Sequence, residues 1–223
     1  MSDPLALFPL ALAAAGGRID GRDTAALVAA GLTLLQRSAP LVRALSGRRS
    51  AIWLPPGPAV LVALAASDGR GALWLDPACD TPEIARQLPV ANVGALFSVK
   101  AFADRIPAGM PVVWLDDAPR AARIDVGDQS RTVDLGSHFG LVLEGDREAV
   151  GRDEECLVHL APGSTDLQRW THRDLLWRAR QGLRDRQLTP VHETRWLAPS
   201  TGVDALLAEC LTPLLIGGRV VTG

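Results

Sequence analysis

The residues best suited to bind an anion lie in one short polar segment. The tripeptide Gly163-Ser164-Thr165 follows an apolar run at residues 156–160, and a predicted helix begins at Thr171. Such a turn can present backbone N–H groups and hydroxyls to a phosphate, and the positive end of a following helix helps to bind it. The alternative is a turn whose hydroxyls only satisfy nearby backbone groups, and the sequence leaves both interpretations open.

The start of the helix that follows this segment is well specified. Thr171 and Asp174 have the spacing of a capping box, in which each side chain bonds the backbone N–H of the other residue. His172 in this first turn is predicted to be a surface or packing residue. His159 lies in the apolar run, where a histidine is more often hydrogen-bonded in the core than catalytic. Asp166 is predicted to form a turn, and no catalytic residue is assigned.

The elements that must position this segment are predicted from short apolar runs. These runs lack strict alternation, which is typical of strands buried on both faces of a parallel sheet. Helix starts at Pro58 and at Asp80-Thr81-Pro82-Glu83 lie between them, and a further helix over residues 24–45 is predicted to break near Pro40. The predicted fold is α/β, a doubly wound, mostly parallel sheet with helices on both faces. The four runs are residues 51–54, 72–75, 95–99 and 112–115.

Three regions are predicted along the chain. Residues 1–118 form a first α/β lobe, and residues 119–153 form a connector or antiparallel excursion rich in Asp, Arg and Gly. Residues 154–223 form a second β-α-β unit that carries the polar segment. Its predicted elements are strands at 156–160 and 194–198 and helices at 171–187 and 203–215.

Composition excludes several classes of protein and site. A net charge of −2 without a basic cluster argues against nucleic acid and anionic membranes as partners. Three cysteines without CxxC spacing indicate neither a disulfide framework nor a zinc site. The dinucleotide, P-loop, nucleophile-elbow and zinc-peptidase motifs are absent from the sequence. The cysteines are Cys79, Cys156 and Cys210.

A cytoplasmic location is predicted. The apolar run at residues 5–15 could be mistaken for the core of a signal peptide, but Asp3 precedes it, and Pro4 and Pro9 interrupt it. No stretch reaches the roughly 20 uninterrupted apolar residues that span a bilayer.

The polar segment and its flanks resemble the adenylate-forming superfamily of acyl-CoA synthetases, aryl-acid ligases, luciferases and peptide-synthetase adenylation domains. Gly163-Ser164-Thr165 is similar to the GST of the family's TSGSTGxPKG phosphate loop, and THRDLL at 171–176 looks like the THxNL helix start. RSAIWLPPGP at 49–58 is similar to RVAILLPNSP, ALWLDP at 72–77 to GAVAVPLNP, and LLIGGRVV at 214–221 to LLAGGRVVL.

The resemblance implies the N-terminal part of an ATP-dependent acid ligase that forms acyl or aryl adenylates for transfer to CoA or a carrier protein. It implies ATP with Mg²⁺ as cofactor and a carboxylic acid as substrate. The nucleotide-binding residues would be Gly163, Ser164 and Thr165, with Arg169 in the place of the family's lysine. A planar guanidinium and a compact ammonium are not equivalent phosphate ligands.

The chain departs from the family pattern inside the loop. Ala161 and Pro162 stand in place of Thr-Ser, Gln168 in place of the proline, and Asp166 in place of a glycine, where it repels phosphate. The chain also ends at Gly223, before the family's adenine, magnesium, ribose and lid regions. We therefore expect a protein that is inactive alone, or alternatively a non-catalytic pseudoenzyme or interaction module. Self-association or a protein partner is expected to cover the truncated face.

Overall fold

A computed structural model describes residues 11–136, 150–197 and 202–223. Strands and helices alternate along these ranges. The strands are β1 Arg18–Ile19, β2 Arg22–Asp23, β3 Arg49–Trp53, β4 Ala72–Trp74, β5 Val93–Ser98, β6 Val112–Trp114, β7 Ala121–Val126, β8 Gln129–Asp134, β9 Glu155–Leu160, β10 Leu167–Thr171, β11 Glu193–Trp196 and β12 Arg219–Thr222. The helices are α1 Leu12–Ala14, α2 Thr24–Arg37, α3 Ala39–Ala44, α4 Pro58–Ala66, α5 Thr81–Val90, α6 His172–Arg186, α7 Val203–Ala205 and α8 Thr212–Leu214. A 3₁₀ helix, Lys100–Arg105, follows β5, and a π-helical segment, Leu206–Leu211, joins α7 to α8.

The larger sheet has eight strands in the order β10-β9-β4-β3-β5-β6-β7-β8. The five strands from β9 to β6 are parallel to one another. β10 is antiparallel to β9 at one edge, and the hairpin of β7 and β8 continues the sheet antiparallel at the other edge. The predicted α/β fold with a mostly parallel sheet is confirmed.

The parallel strands of this sheet are buried on both faces, as their apolar runs predict. Along β3 and the residue after it, Ala51 and Trp53 pack into one core, whereas Ile52 and Leu54 pack into the other. Helix α5 covers the first core through Ile84, and residues 59–66 of α4 all lie in the second. Period-two alternation therefore divides each strand between two apolar layers, because successive side chains point to opposite faces.

The predicted break in the first long helix lies at Ser38, two residues before Pro40. α2 ends at Arg37, and the Ser38 hydroxyl accepts a hydrogen bond from the Leu41 N–H at 3.2 Å, which starts α3. Pro40 occupies the first turn of α3, where the absence of an N–H costs nothing.

The smaller sheet joins residues 18–23 to residues 193–222. Its strand order is β11-β12-β1-β2, and β12 runs parallel to both β11 and β1. Asp20, just after β1, accepts hydrogen bonds from the Thr222 backbone N–H at 2.8 Å and from its hydroxyl at 2.6 Å.

The predicted regions do not coincide with separate sheets. β9 belongs to the predicted second unit at 154–223, yet it pairs with β4 of the predicted first lobe. β7 and β8 lie in the predicted connector at 119–153, of which residues 137–149 are outside the described part of the chain. The division into three regions stays a prediction. None of the helices in the described ranges has the length and apolar character to cross a membrane.

Candidate functional site

The tripeptide Gly163-Ser164-Thr165 lies in the turn of a β-hairpin. β9 ends at Leu160, and β10 begins opposite it at Leu167. The Ser164 N–H donates to the Ala161 carbonyl at 3.0 Å. Pro162 at the second position and Gly163 at the third, with a φ of +73°, give the residue pattern of a type II turn.

This turn is at the carboxyl edge of the parallel strands. β9 runs parallel to β4, so the residues that follow Leu160 leave the sheet at the edge where open α/β sheets bind ligands. Gly163 and Thr165 are exposed there, and Ser164 is half-buried. The Ser164 hydroxyl also accepts a hydrogen bond from the Asp166 N–H at 3.0 Å. This hydroxyl therefore satisfies a nearby backbone group, which is one of the two interpretations that the sequence left open.

The prediction that the N-terminus of α6 helps the tripeptide to bind an anion is wrong. The segment 161–170 is not all loop, because Leu167–Thr171 form β10 and carry the chain back along β9. The N-cap Thr171 is therefore paired with Glu155 at the amino end of β9, about 16 Å from the turn at the rise of a strand. A helix dipole acts within about its first turn, so α6 does not assist the tripeptide.

The capping box itself is present as predicted. The Thr171 hydroxyl accepts from the Asp174 N–H at 3.1 Å, and the Asp174 carboxylate accepts from the Thr171 N–H at 3.0 Å. Hydrogen bonds from the Thr171 side chain and backbone lower the pKa of Asp174. The box fixes the start of α6 at the amino edge of the sheet.

Arg169 does not lie with the tripeptide. Its guanidinium Nε is 3.4 Å from Glu155 Oε2, toward the amino end of β9, and Arg49 Nη2 lies 2.7 Å from Glu155 Oε1. The structure thus places Arg169 in an ion-pair cluster on the sheet. Phosphate binding by Arg169 stays a prediction.

Arg86 of α5 is the cation that contacts the turn. Its Nη1 donates to the Ser164 carbonyl, and its Nη2 donates to the Ala161 carbonyl at 3.5 Å. The same guanidinium is bound by Glu83, one helical turn earlier, with Nε 2.9 Å from Glu83 Oε2. α5 is in turn capped by Asp80, which accepts from the Glu83 N–H at 2.9 Å.

Glu83 also faces the turn. Hydrogen bonds from Arg86 and Gln87 hold the pKa of Glu83 at about 2, and the backbone N–H of Gly163 contributes to this lowering. The sequence interpretation used Glu83 only as a helix-start signal and missed Arg86. The available signal was the Glu-x-x-Arg spacing, which places both side chains on one helix face.

The two histidines near the site have structural roles. His172 is fully buried, its Nε2 lies 2.8 Å from the Gly69 carbonyl, and burial lowers its pKa. His159 Nδ1 lies 3.3 Å from the Trp74 carbonyl in the sheet. Both positions agree with the packing roles predicted for them.

A cavity of about 640 Å³ opens at the same sheet edge, over β3, β5 and β6. It is lined by Pro55 and by residues 99–102 and 115–117, and Lys100 Nζ lies 3.8 Å from the centre of the Trp114 ring. From β3 the chain continues to β4 on one side, and from β5 it continues to β6 on the other side. The direction in which successive strands are added therefore reverses between the neighbours β3 and β5. Such a reversal is a common position for ligand sites. The sequence interpretation did not identify this cavity.

The turn does not fit a triphosphate in the observed arrangement. The Arg86 guanidinium beside the turn is already bound by the Glu83 carboxylate, and Asp166 adds a carboxylate within the turn itself. Among residues 11–136, 150–197 and 202–223, no group of three or more His, Cys, Asp or Glu side chains could hold a metal ion.

The fold is that of the N-terminal portion of adenylate-forming enzymes, as the sequence motifs predict. MatB from Rhodopseudomonas palustris matches with a TM-score of 0.72 and 18% identity over 97% of this chain and 44% of its own. The nonribosomal peptide synthetase FmoA3 matches with a TM-score of 0.67 and 18% identity over 99% of this chain and 23% of its own.

O-succinylbenzoate coenzyme A synthetase (MenE) from Bacillus subtilis matches with a TM-score of 0.60 and 15% identity, over 92% of this chain and 40% of its own. This chain thus spans less than half the length of each of these structures. No protein-family model matches the sequence, and no curated protein matches it. At these identities the likeness establishes the fold alone.

Proposed function

We propose that this chain is the N-terminal part of an ATP-dependent acid ligase, of the kind that forms acyl or aryl adenylates, and that it is inactive alone. The observation that carries the proposal is a fold shared with MatB over 97% of the chain, with Gly163-Ser164-Thr165 at the carboxyl edge of its sheet. Solved neighbours include an ATP-bound MatB and an AMP-bound MenE, which supports a nucleotide as the ligand of this fold.

The inactivity follows from the charges at the turn and from the requirements of adenylation. The reaction needs a carboxylate oriented at the α-phosphorus and preorganised donors that stabilise the developing charge. Here the Arg86 guanidinium at the turn is already paired with Glu83, and Asp166 adds a negative charge. We assign the remaining catalytic groups, Mg²⁺ coordination and acid selection to residues outside this chain, and we place the protein in the cytoplasm.

A second candidate is a non-catalytic interaction module. One observation favours it: Arg86 donates to the carbonyls of Ala161 and Ser164, so the turn serves to fasten β9 and β10 to α5. A turn retained for this structural purpose needs no nucleotide.

The test combines calorimetric titration of ATP with acid-dependent exchange of pyrophosphate into ATP across a panel of carboxylic acids. We expect weak ATP binding, with a Kd on the order of millimolar, and no exchange. Exchange that depends on an added acid would overturn the inactivity. Absence of ATP binding at several millimolar would favour the interaction module.

A further inference from the structure

A pocket of about 550 Å³ lies at the amino edge of the larger sheet, away from the turn and the cavity at the carboxyl edge. Its lining includes Ser50 near the start of β3, residues 66–67 at the end of α4, and residues 68 and 70, which precede β4. We propose that this amino-edge pocket binds an amphipathic anion. The apolar body of the ligand lies on the pocket walls, and its carboxylate or phosphate head binds Arg43 and Arg48. This site is separate from the one in the proposed function.

The walls of the amino-edge pocket offer apolar surface to a ligand. Leu35 comes from α2, Val42 from α3, Leu45 from the residue after α3, and Ala66 from α4. Val42 is 48% exposed, so part of this apolar lining is uncovered. Small-molecule sites are typically concave and mostly apolar, with volumes of roughly 300–1,000 Å³ and a few polar groups that orient the ligand. The pocket meets this description in size and in lining.

Two serine hydroxyls in the lining donate within the protein. The Ser50 hydroxyl donates to Ser67 Oγ at 2.6 Å, and the Ser67 hydroxyl donates to the Ala63 carbonyl at 2.8 Å. Neither hydroxyl has a proton left for a ligand, because each has only one to donate. This part of the pocket therefore suits the apolar body of a ligand better than its anionic head.

The charged groups of the pocket include two arginines that have no internal partner. Arg43 and Arg48 are exposed, and within residues 11–136, 150–197 and 202–223 neither guanidinium forms an ion pair or hydrogen bond. Arg70 differs, because its guanidinium lies 3.5 Å from Asp68 Oδ2 and 3.6 Å from Glu154 Oε2. The planar fork of a guanidinium matches the oxygens of a carboxylate or phosphate. The two free arginines therefore give the pocket an anion-binding side.

The position of the anionic head follows from the other charges in the lining. Asp68 lines the pocket, and so does the C-terminal end of α4, where the helix dipole is negative. Both disfavour an anion nearby. The head is therefore assigned to Arg43 of α3 and to Arg48, which lies between α3 and β3.

The first experiment separates the contributions of the body and the head of the ligand. Octanoate and monooctyl phosphate are titrated into the 223-residue chain by calorimetry at low salt. We expect one molecule to bind per chain, with affinity rising by up to about fourfold for each CH₂ from butanoate to octanoate. 1-Octanol has the same body without the charge and should bind at least about fivefold more weakly than octanoate.

The comparison of octanoate with monooctyl phosphate identifies the preferred head. Binding of neither would overturn the inference. An affinity that does not depend on chain length would also overturn it, and so would 1-octanol binding as tightly as the anions.

The second experiment tests the residues of the pocket with matched controls. Arg43→Gln and Arg48→Gln should each weaken binding of the preferred anion by about fivefold. Val42→Ser should weaken it on the order of fourfold, as for the loss of one buried CH₂. Arg195→Gln on β11 and Val191→Ser change an exposed arginine and an exposed valine elsewhere, and both should leave affinity unchanged. Circular dichroism establishes that each variant is folded.

The cavity at the carboxyl edge is the competing location for the anion, because Lys100 lines it. Lys100→Gln should leave affinity unchanged. A loss of binding in Lys100→Gln, with no effect of Arg43→Gln or Arg48→Gln, would place the ligand in that cavity and overturn the inference.

A measurement on the wild-type chain keeps the inference testable if the variants do not fold. On titration of the preferred anion, the Nε–H groups of Arg43 and Arg48 and the backbone N–H of Val42 should shift in nitrogen–proton NMR spectra. Shifts confined to residues of the carboxyl-edge cavity would contradict the amino-edge pocket. Neither experiment requires ATP or adenylation, so the outcome is independent of the proposed ligase function.

Discussion

At the scale of single residues, the pair Glu83 and Arg86 determines the electrostatics of the turn. Arg86 donates to two carbonyls of the turn and to the Glu83 carboxylate. The contact of Arg86 with the turn was not predictable from the sequence, because about 80 residues separate α5 from the turn and only the parallel sheet brings them together. By contrast, the capping box of Thr171 and Asp174 involves residues three apart and was predicted correctly.

The low pKa of Glu83 predicts a contribution to stability that depends on pH. Its pKa lies at about 2 in the folded chain against an ordinary value of 4.5, mainly through hydrogen bonds from Arg86. A carboxylate with a lowered pKa stabilises the fold above its unfolded pKa, and this contribution is lost as the pH falls toward the folded value. The stability difference between wild type and Glu83→Gln should therefore shrink between about pH 4.5 and pH 2.

Urea denaturation at a series of pH values measures this difference. Glu193→Gln, which changes an exposed carboxyl on β11, is the matched control and should show a nearly constant difference. A stability difference for Glu83→Gln that does not vary over this acid range would contradict the assigned role of the pair.

At the scale of elements, the strands that are buried on both faces were predicted from the sequence, whereas an exposed edge strand was not. Strands β3, β4, β5, β6 and β9 were predicted because burial on both faces selects short, continuous apolar runs. β10 was missed because it is an edge strand whose Gln168 and Arg169 are exposed, so it lacks an apolar run. This one missing strand explains why the α6 N-terminus was wrongly expected beside the turn.

The packing of α2 on α4 predicts a strong effect of a small substitution. A Cβ at Gly31 would lie 2.4 Å from the Val62 carbonyl oxygen and 2.6 Å from Ala65 Cβ. Gly31→Ala should therefore destabilise the chain by about 1–3 kcal/mol through overpacking, despite the better helix propensity of alanine.

Gly182→Ala on α6 is the control for this substitution. A Cβ there would meet only Thr212 Cγ2, at 3.8 Å, which is ordinary contact. The gain in helix propensity should then dominate and stabilise the chain by up to ~1 kcal/mol. Both values are measured by urea denaturation, and equal effects of the two substitutions would show that α2 and α4 are less closely packed than described.

At the scale of the whole molecule, shared packing predicts one unfolding transition. A single apolar core includes residues from Leu12 to Val220, and β9 joins the sheet of the predicted first lobe. The predicted lobes should therefore unfold together, with equal midpoints for tryptophan fluorescence and far-ultraviolet circular dichroism. Gly31→Ala should shift both midpoints by the same amount. Separate midpoints would instead support independent lobes.

Self-association or a protein partner remains a proposal at this scale. Trp177 on α6 is 63% exposed and Val191 is 88% exposed, and apolar surface of this kind is often covered by another chain. We expect sedimentation coefficients that rise with protein concentration. A sedimentation coefficient that stays at the monomer value over a wide concentration range would contradict self-association.

The parallel pairing of β1 with β12 has a consequence for the order in which the protein is made. Arg18 and Ile19 are among the first described residues to leave the ribosome, and their partners Arg219 and Val220 are synthesised about 200 residues later. At typical translation rates this delay is on the order of 10–40 s. The nascent chain must carry β1 without β12 throughout that period, and the smaller sheet is completed only after β12 has been synthesised.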